Sequence, residues 1–380
     1  MRIAFVSVMG GSSWGGSEEL WYKTAKLALS NGHEILVSVI QWPKEVPQVM
    51  ELRNLGATIV YRKHPFKNIG EKQSILRRVV NKFIKPVPFF LMELHIIEKH
   101  KSDLYVISQG GVHDIFSYKG IPEFICKNNS ILITHGSKEY HVPEIGILVD
   151  AIKLYPNIKA NVFVSQRNLD HVKIQLCNSL ENAKVIYNTF KENNLSSQHG
   201  LSFEEKQQFA LVGRIQCNHK GHHILLQILS KPKWLKRAWH LNIYGEGPDM
   251  EFVKDLTDYL QLKDRVTFHG HVSSKEEIWK QNNILVLPSF YEGTPLVLIE
   301  AMMHGRTAIV NDVGGNTEVA RDGETAFISK APTLKFFEEA MQQAWNDRSN
   351  WNRMGVKARK NIEPLFQPSP EQQLLDLILS

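Results

Sequence analysis

The stretch ILVLPSFYEGTPLVLIE, residues 284–300, holds an apolar run that stops at Pro288 and a second apolar run that carries Glu300. Between them lie Glu292, Gly293, Thr294 and Pro295. A short unbroken run of branched apolar residues suits a strand buried on both faces of a parallel sheet. Pro295 fits the first turn of a helix, where a missing N–H removes no hydrogen bond. The pattern therefore predicts strand, bend and helix, with the helix starting near Thr294 and its unpaired N–H groups facing the region beyond the strand's carboxyl end. Anions bind at such a place. Glu292 falls on the loop and Glu300 in the second turn, so the two carboxylates reach different parts of one ligand, and a phosphate flanked by hydroxyls fits them. The plain alternative is a loop-ending Glu292 and a solvated Glu300, since glutamates are common near helix starts.

Working outward, the same alternation fills the chain. RIAFVSV, EILVSVI, ATIVY, LYVIS, SILIT, NVFVS and KVIYN alternate with helical patterns in the first half, and FALVGR, WHLNIYG, RVTFHG, NILVLPS, TAIVND and AFISK restart the pattern in the second. Repeated βα units imply parallel sheets, so two doubly wound α/β domains are expected. A chain of 380 residues also exceeds one typical core. The polar stretch 190–208 has no strand pattern and is the expected linker, giving domains 1–189 and 190–365.

Composition excludes several classes. Residues are 43% hydrophobic and 22% charged, ordinary for a globular protein, and no run approaches the roughly 18 apolar residues of a spanning helix. The opening MRIAFVSVMGG is too short for a signal-peptide core and reads as a first strand of a cytoplasmic chain. Cys126, Cys177 and Cys217 have no paired spacing, so neither a disulfide framework nor a zinc site is indicated, and buried thiols are expected. The net charge of +6 is uneven: from Arg62 to Lys101 ten Lys/Arg face three Glu. In 71–94 the spacing of Ile75, Val79 and Phe83 predicts a helix with an apolar stripe and flanking cations. Such a helix either lies on an anionic membrane surface or packs on the first domain with its cations solvated.

Ligands of open α/β sheets bind beyond the carboxyl ends of strands. GGSSWGGSEEL places Gly10, Gly11, Gly15 and Gly16 after the first strand, where backbone can approach a phosphate or sugar, although ligand-free glycine turns are also frequent. ALVGRIQCNHKGHH puts Arg214 at a strand end and Lys220 six residues later, a pair able to neutralise a diphosphate or merely two scattered cations. His219, His222 and His223 lack accompanying carboxylates or cysteines, so no metal is expected. IYGEGPDM brings Gly245 and Gly247 to another strand end, and ILITHGS and SQGGVHD bring His135, His113 and Asp114 to two more.

In this order, the pieces resemble the family-four retaining glycosyltransferases of GT-B fold over nearly the whole chain. The resemblance rests on Gly15-Gly16-Ser17-Glu18, His135, Asn188, Gly213-Arg214 with Lys220-Gly221, Gly245-Glu246-Gly247-Pro248, Pro288-Ser289, Glu292-Gly293 with Glu300-Ala301-Met302, and Gly314-Gly315. It implies two Rossmann-like domains facing across a cleft, with a C-terminal helix near 370–379 crossing back onto the first. It implies a retaining, metal-independent hexosyl transfer from a nucleotide-sugar, UDP slightly preferred over GDP and no cofactor, to a glycan or lipid-linked acceptor in cell-surface polysaccharide synthesis. Arg214 and Lys220 would hold the diphosphate, Glu300 the ribose, Glu292 and His135 the donor sugar, with Gly15, Gly16, Gly245, Gly247 and the Gly293, Thr294, Pro295, Leu296 backbone completing the donor site. Asn282-Asn283 stands where the family often has Asp, and the chain contains no D-x-D. The rivals are a nucleotide-sugar epimerase or hydrolase on the same fold and a basic nucleic-acid-binding protein. The latter would need aromatic–basic interleaving on strands, which is missing, so no nucleic acid is expected.

Overall fold

The computed structural model describes residues 1–63, 90–118, 120–190, 206–272, 274–362, 364 and 368–380. The expected basic helix within 71–94 lies outside them, apart from the start of the helix Phe90–Lys99. So does most of the expected linker.

Each apolar run named above is a strand. β1 (Arg2–Ser7), β2 (Glu34–Ile40), β3 (Thr58–Arg62), β4 (Leu104–Gly111), β5 (Ser130–Gly136), β6 (Ala160–Phe163) and β7 (Ala183–Val185) form one sheet in the order β3-β2-β1-β4-β5-β6-β7. β8 (Gln207–Val212), β9 (Trp239–Tyr244), β10 (Val266–Gly270), β11 (Ile284–Leu287), β12 (Thr307–Asn311) and β13 (Phe327–Ser329) form the second in the order β10-β9-β8-β11-β12-β13. The registered pairs of both sheets are parallel. Strand order reverses between β1 and β4 and between β8 and β11, and at such a reversal successive helices leave on opposite faces and open a crevice.

Why these runs are strands follows from burial. β5 and β12 are buried at every residue, so their middles are apolar on both faces and their buried polar groups are hydrogen-bonded, His135 to Asn188 and Asn311 to the Ser289 carbonyl. Helices cover those faces. In the first unit Leu20, Trp21 and Ala25 of the helix Gly16–Ser30 pack with Ile3, Phe5 and Val37. In the second, Leu225 and Leu229 of the helix His222–Leu229 pack with Phe209, Trp234 and Trp239. The Gly16–Ser30 helix ends at Asn31, and Gly32 at φ +79° turns the chain back toward β2.

The helix Pro370–Leu379 crosses back to the first unit. Leu374, Leu375 and Ile378 are fully buried in the cluster that contains Leu20 and Trp21, and Thr189 donates to the Glu371 carboxylate at 3.0 Å. One cysteine is buried, Cys217, but Cys126 and Cys177 are exposed, contrary to the sequence expectation. Cys126 lies near the end of the helix Ile121–Lys127, and Cys177 is the left-handed cap of the helix Gln166–Leu176 at φ +48°. Among the described residues no helix is long and apolar enough to cross a membrane.

The docking of the last helix gives a first prediction. Leu375→Ala leaves a cavity between that helix and the Gly16–Ser30 helix and should destabilise the chain by about 2–5 kcal/mol. Urea denaturation followed by circular dichroism measures it; an unchanged midpoint would show that the last helix contributes no core.

Candidate functional site

The site is built from five strand ends and one helix start, and it straddles the two sheets. The loop after β1 meets the loop after β8: a Cβ on Gly11 would lie 2.6 Å from the Arg214 guanidinium, and one on Gly16 would lie 2.3 Å from Leu296 Cδ1. The end of β5 meets the loop after β11, where a Cβ on Gly293 would lie 2.0 Å from the His135 carbonyl oxygen. Behind it, a Cβ on Gly314 would lie 2.0 Å from the Glu292 carbonyl oxygen. Side chains at Gly293 and Gly314 are excluded because another backbone occupies their place, whereas at Gly11 and Gly16 the space is taken by the side chains of Arg214 and Leu296.

The helix begins at Leu296, two residues past Thr294, with Pro295 as its capping residue and not in its first turn. The reason is Thr294: its hydroxyl donates to the Val164 carbonyl at 2.6 Å and accepts from the Asn188 N–H at 2.9 Å, which ties that residue to the first sheet. The Leu296 N–H donates to the Thr294 carbonyl at 2.9 Å, so it is not among the unpaired groups at the helix start.

Charge is arranged unequally. Lys220 Nζ lies 2.6 Å from Glu292 Oε1, and the two side chains are 12% and 8% exposed. Burial alone would raise the Glu292 carboxyl, but Lys220, His219 and Ser289 hold it below the usual range, so it stays ionised. Arg214 has no carboxylate partner among the described residues and faces the Gly11 backbone. The Arg214–Lys220 pair of the sequence reading is thus one cation already neutralised and one available. Glu300 lies 3.1 Å from Lys275 Nζ, with its side chain 17% exposed.

His135 is pinned at both nitrogens. Nδ1 lies 3.0 Å from Asn188 Oδ1 and Nε2 lies 3.0 Å from Ser108 Oγ. An amide oxygen only accepts, so Nδ1 carries the proton and Nε2 accepts from the serine. Burial pushes its pKa down to about 4, and a neutral, fully engaged ring sets the shape of the site without moving protons. Gly15 caps the Gly16–Ser30 helix. Gly245 and Gly247 are demanded by backbone packing: a Cβ there would lie 2.0 Å from the Gly213 carbonyl oxygen and 2.2 Å from that of Ile215. Asn282 and Asn283 sit at the opposite end of β11, where Asn282 donates to Tyr244 Oη at 2.8 Å and Asn283 accepts from the Gln208 N–H at 2.6 Å. That departure from the family pattern does not touch the site.

Sequence reasoning missed the groups that join the sheets. The Glu318 carboxylate accepts the N–H groups of Gln166 at 3.1 Å and Arg167 at 2.9 Å, the first turn of the Gln166–Leu176 helix. It also accepts from Tyr187 Oη at 3.0 Å. The Arg167 guanidinium pairs with Glu139 at 2.7 Å and with Asp312. Acceptors at a helix start favour carboxylates, but nothing local in the sequence names a partner so far along the chain. His113 is half-buried, and the Asp114 carboxylate accepts the Gly111 N–H at 2.7 Å.

No three His, Cys, Asp or Glu side chains among the described residues converge to hold a metal. His219 instead stacks on Tyr291 at 4.1 Å, and His222 is fully buried with both nitrogens unpartnered. Burial, with the Lys220 cation adding to it, lowers His219 to about 4 and His222 to about 3.

Two predictions follow from these charges. Removing Lys220 strands the Glu292 carboxylate, so Lys220→Met should cost about 3–5 kcal/mol of stability, and Lys220→Met/Glu292→Gln should recover most of it without restoring function; equal destabilisation in both variants would exclude the pairing. The second concerns acid. Unfolded histidine titrates near 6.5, and the folded pKa values of His135, His219 and His222 lie below it. The unfolded chain therefore binds more protons below about pH 6.5, and stability falls as pH is lowered from there toward 4. Scanning calorimetry should show this fall, and His222→Leu should lessen it.

Residues 193–361 match the family model "Glycosyl transferases group 1". The chain is 29% identical over 179 residues to N-acetyl-alpha-D-glucosaminyl L-malate synthase of Bacillus anthracis, covering 46% of this chain and 45% of that one. It is 28% identical over 219 residues to the capsular polysaccharide biosynthesis glycosyltransferase CapM of Staphylococcus aureus, covering 51% and 57%. The chain spans about half the length, or less, of the curated relatives it matches. Among solved structures, Anabaena HepE in complex with UDP and glucose superposes with a TM-score of 0.72 at 18% identity, covering 100% of both chains. Residues 193–361 are thus a glycosyl transferases group 1 domain, and the chain has the two-sheet α/β fold of the GT-B glycosyltransferases.

Proposed function

We propose that the chain is a retaining, metal-independent glycosyltransferase that moves a hexosyl group from a nucleotide-sugar donor, UDP-linked in preference to GDP-linked, to a glycan or lipid-linked acceptor in cell-surface polysaccharide synthesis. The observation that carries this reading is the unpaired Arg214 guanidinium at the meeting of the Gly10–Gly16 loop and the helix that starts at Leu296. HepE, of like fold, forms a complex with UDP and glucose, and CapM is a capsular polysaccharide biosynthesis glycosyltransferase. The acceptor's approach to an anionic membrane face through 71–94 rests on the sequence pattern alone.

The chemistry follows from charge. Breaking a sugar–phosphate bond leaves positive charge on the sugar and adds negative charge to the departing diphosphate. Arg214, held against backbone, is preorganised for that anion, which is worth most where water is excluded. Lys220 keeps two N–H donors beyond the one engaged by Glu292 and supplies the second contact. Glu292, ionised and bound to Lys220, is no general acid; the leaving phosphate oxygen takes the acceptor's proton as the acceptor attacks from the same face. Glu300 accepts the ribose hydroxyls once Lys275 gives way. The sequence has no D-x-D to bind a metal–diphosphate complex.

Calorimetry with UDP, GDP and ADP, and product analysis with their sugars, tests this. UDP should bind best, Arg214→Ala should lose both binding and transfer, and Glu300→Gln should weaken UDP by roughly 1.5–3 kcal/mol. Donor consumed at the same rate without acceptor, giving free sugar or an epimer, would replace transfer by hydrolysis or epimerisation.

A further inference from the structure

A cavity in the first unit has no part in the donor site. It lies at the carboxyl ends of β1 and β2, walled by Ser12 to Trp14 of the glycine loop, Glu18 and Trp21 of the Gly16–Ser30 helix, Trp42 beyond β2, and Val49. The space within and in front of it, open solvent included, is about 560 Å³. Its outer wall is the loop whose Gly11 and Gly16 touch Arg214 and Leu296, so one short loop separates the cavity from the anion site.

We propose that this cavity binds a sugar unit of the acceptor, one pyranose face packed on its indole walls and a hydroxyl hydrogen-bonded to Glu18. This rests on the glycosyltransferase reading. The cavity is largely apolar, and rings present C–H faces that pack on aromatic surfaces while their edges need polar partners. Glu18 is 5% exposed, and its Oε2 has no hydrogen-bond partner. Burial, with the Glu19 carboxylate adding to it, pushes the acid up to about 8. A neutral carboxylic acid both donates and accepts, which matches a hydroxyl and not an anion. An alkyl or isoprenoid chain would fill the apolar walls but leave that acid unsatisfied, and a buried polar group without a partner is disfavoured. The walls are also fixed in advance. Trp14 donates to Glu19 Oε1 at 2.9 Å and stands edge-on to Trp21 and Tyr22 at 5.5 Å and 5.6 Å, so its ring needs little ordering when a ligand arrives. Ser12, Ser13 and Gln41 supply hydroxyls and an amide at the mouth, and the charged Lys44 and Glu45 line it there.

The test uses the full chain and its intrinsic tryptophan fluorescence. The probes are the methyl glycosides of glucose, galactose, mannose and N-acetylglucosamine, with farnesol as an apolar control and UDP titrated in parallel by calorimetry. At least one glycoside should change the fluorescence saturably. Trp42→Ala and Glu18→Leu should each weaken it by about tenfold, Glu18→Gln, which keeps a donor and an acceptor, should retain it, and UDP affinity should stay at the wild-type value in all three, which also certifies their folding. UDP binding without any saturable glycoside, glycoside binding indifferent to both Trp42→Ala and Glu18→Leu, or farnesol binding in place of glycosides would each overturn the proposal. Glycoside binding with the expected losses but no UDP binding would uphold the cavity and refute the donor reading alone.

Discussion

The molecule depends on one backbone contact: the carbonyl of His135 at the end of β5 sits where a Cβ of Gly293 would have to be. Only bare backbone lets the two sheets come this close, and everything in the site is set by that approach. Thr294 is fixed by Val164 and Asn188 across it, Asn168 reaches the Glu292 carbonyl at 3.3 Å, and Gly314 and Gly315 leave room behind it. A side chain at Gly293 would part the sheets and withdraw Leu296 from Gly16 and Arg214 from Gly11 together.

The buried Lys220–Glu292 pair shows how such a junction carries charge. Two ions out of water are tolerable only when each compensates the other, and here they leave Arg214 as the cation without a carboxylate. The site is therefore asymmetric before any ligand enters. One positive group is structural in origin and lends its spare donors, while the other is unquenched. An anion arriving at Arg214 does not have to break an existing ion pair there, and the internal ionic contact nearby holds the loop after β8 against the loop after β11.

The fold was legible because strands buried on both faces are mostly apolar, as the middles of β1, β2, β11 and β12 are, whereas β10 at the edge of its sheet carries exposed Thr267 and His269. The site was legible only as a set of strand ends. Lys220 and Glu292 are 72 positions apart, and no local pattern says that they meet. Gly245 and Gly247 illustrate a second limit, since a glycine at a strand end looks the same whether a ligand or a neighbouring backbone needs the space, and here Gly213 and Ile215 do. Glu18 illustrates a third. In the first turn of a helix an acid reads as a solvated partner of the helix dipole, and only the packing of Trp14 and Trp21 above it shows that it is buried.

The Glu318 carboxylate that receives the first N–H groups of the Gln166–Leu176 helix belongs to the second sheet's unit, and the helix belongs to the first. Any movement that parted the two units would uncap the helix and separate Arg167 from Asp312 together. Opening thus exposes one bare helix terminus and several unmatched charges to water. Dissolved ions stabilise such groups and screen the attraction that holds them together, so this junction between the two units is one that added salt weakens.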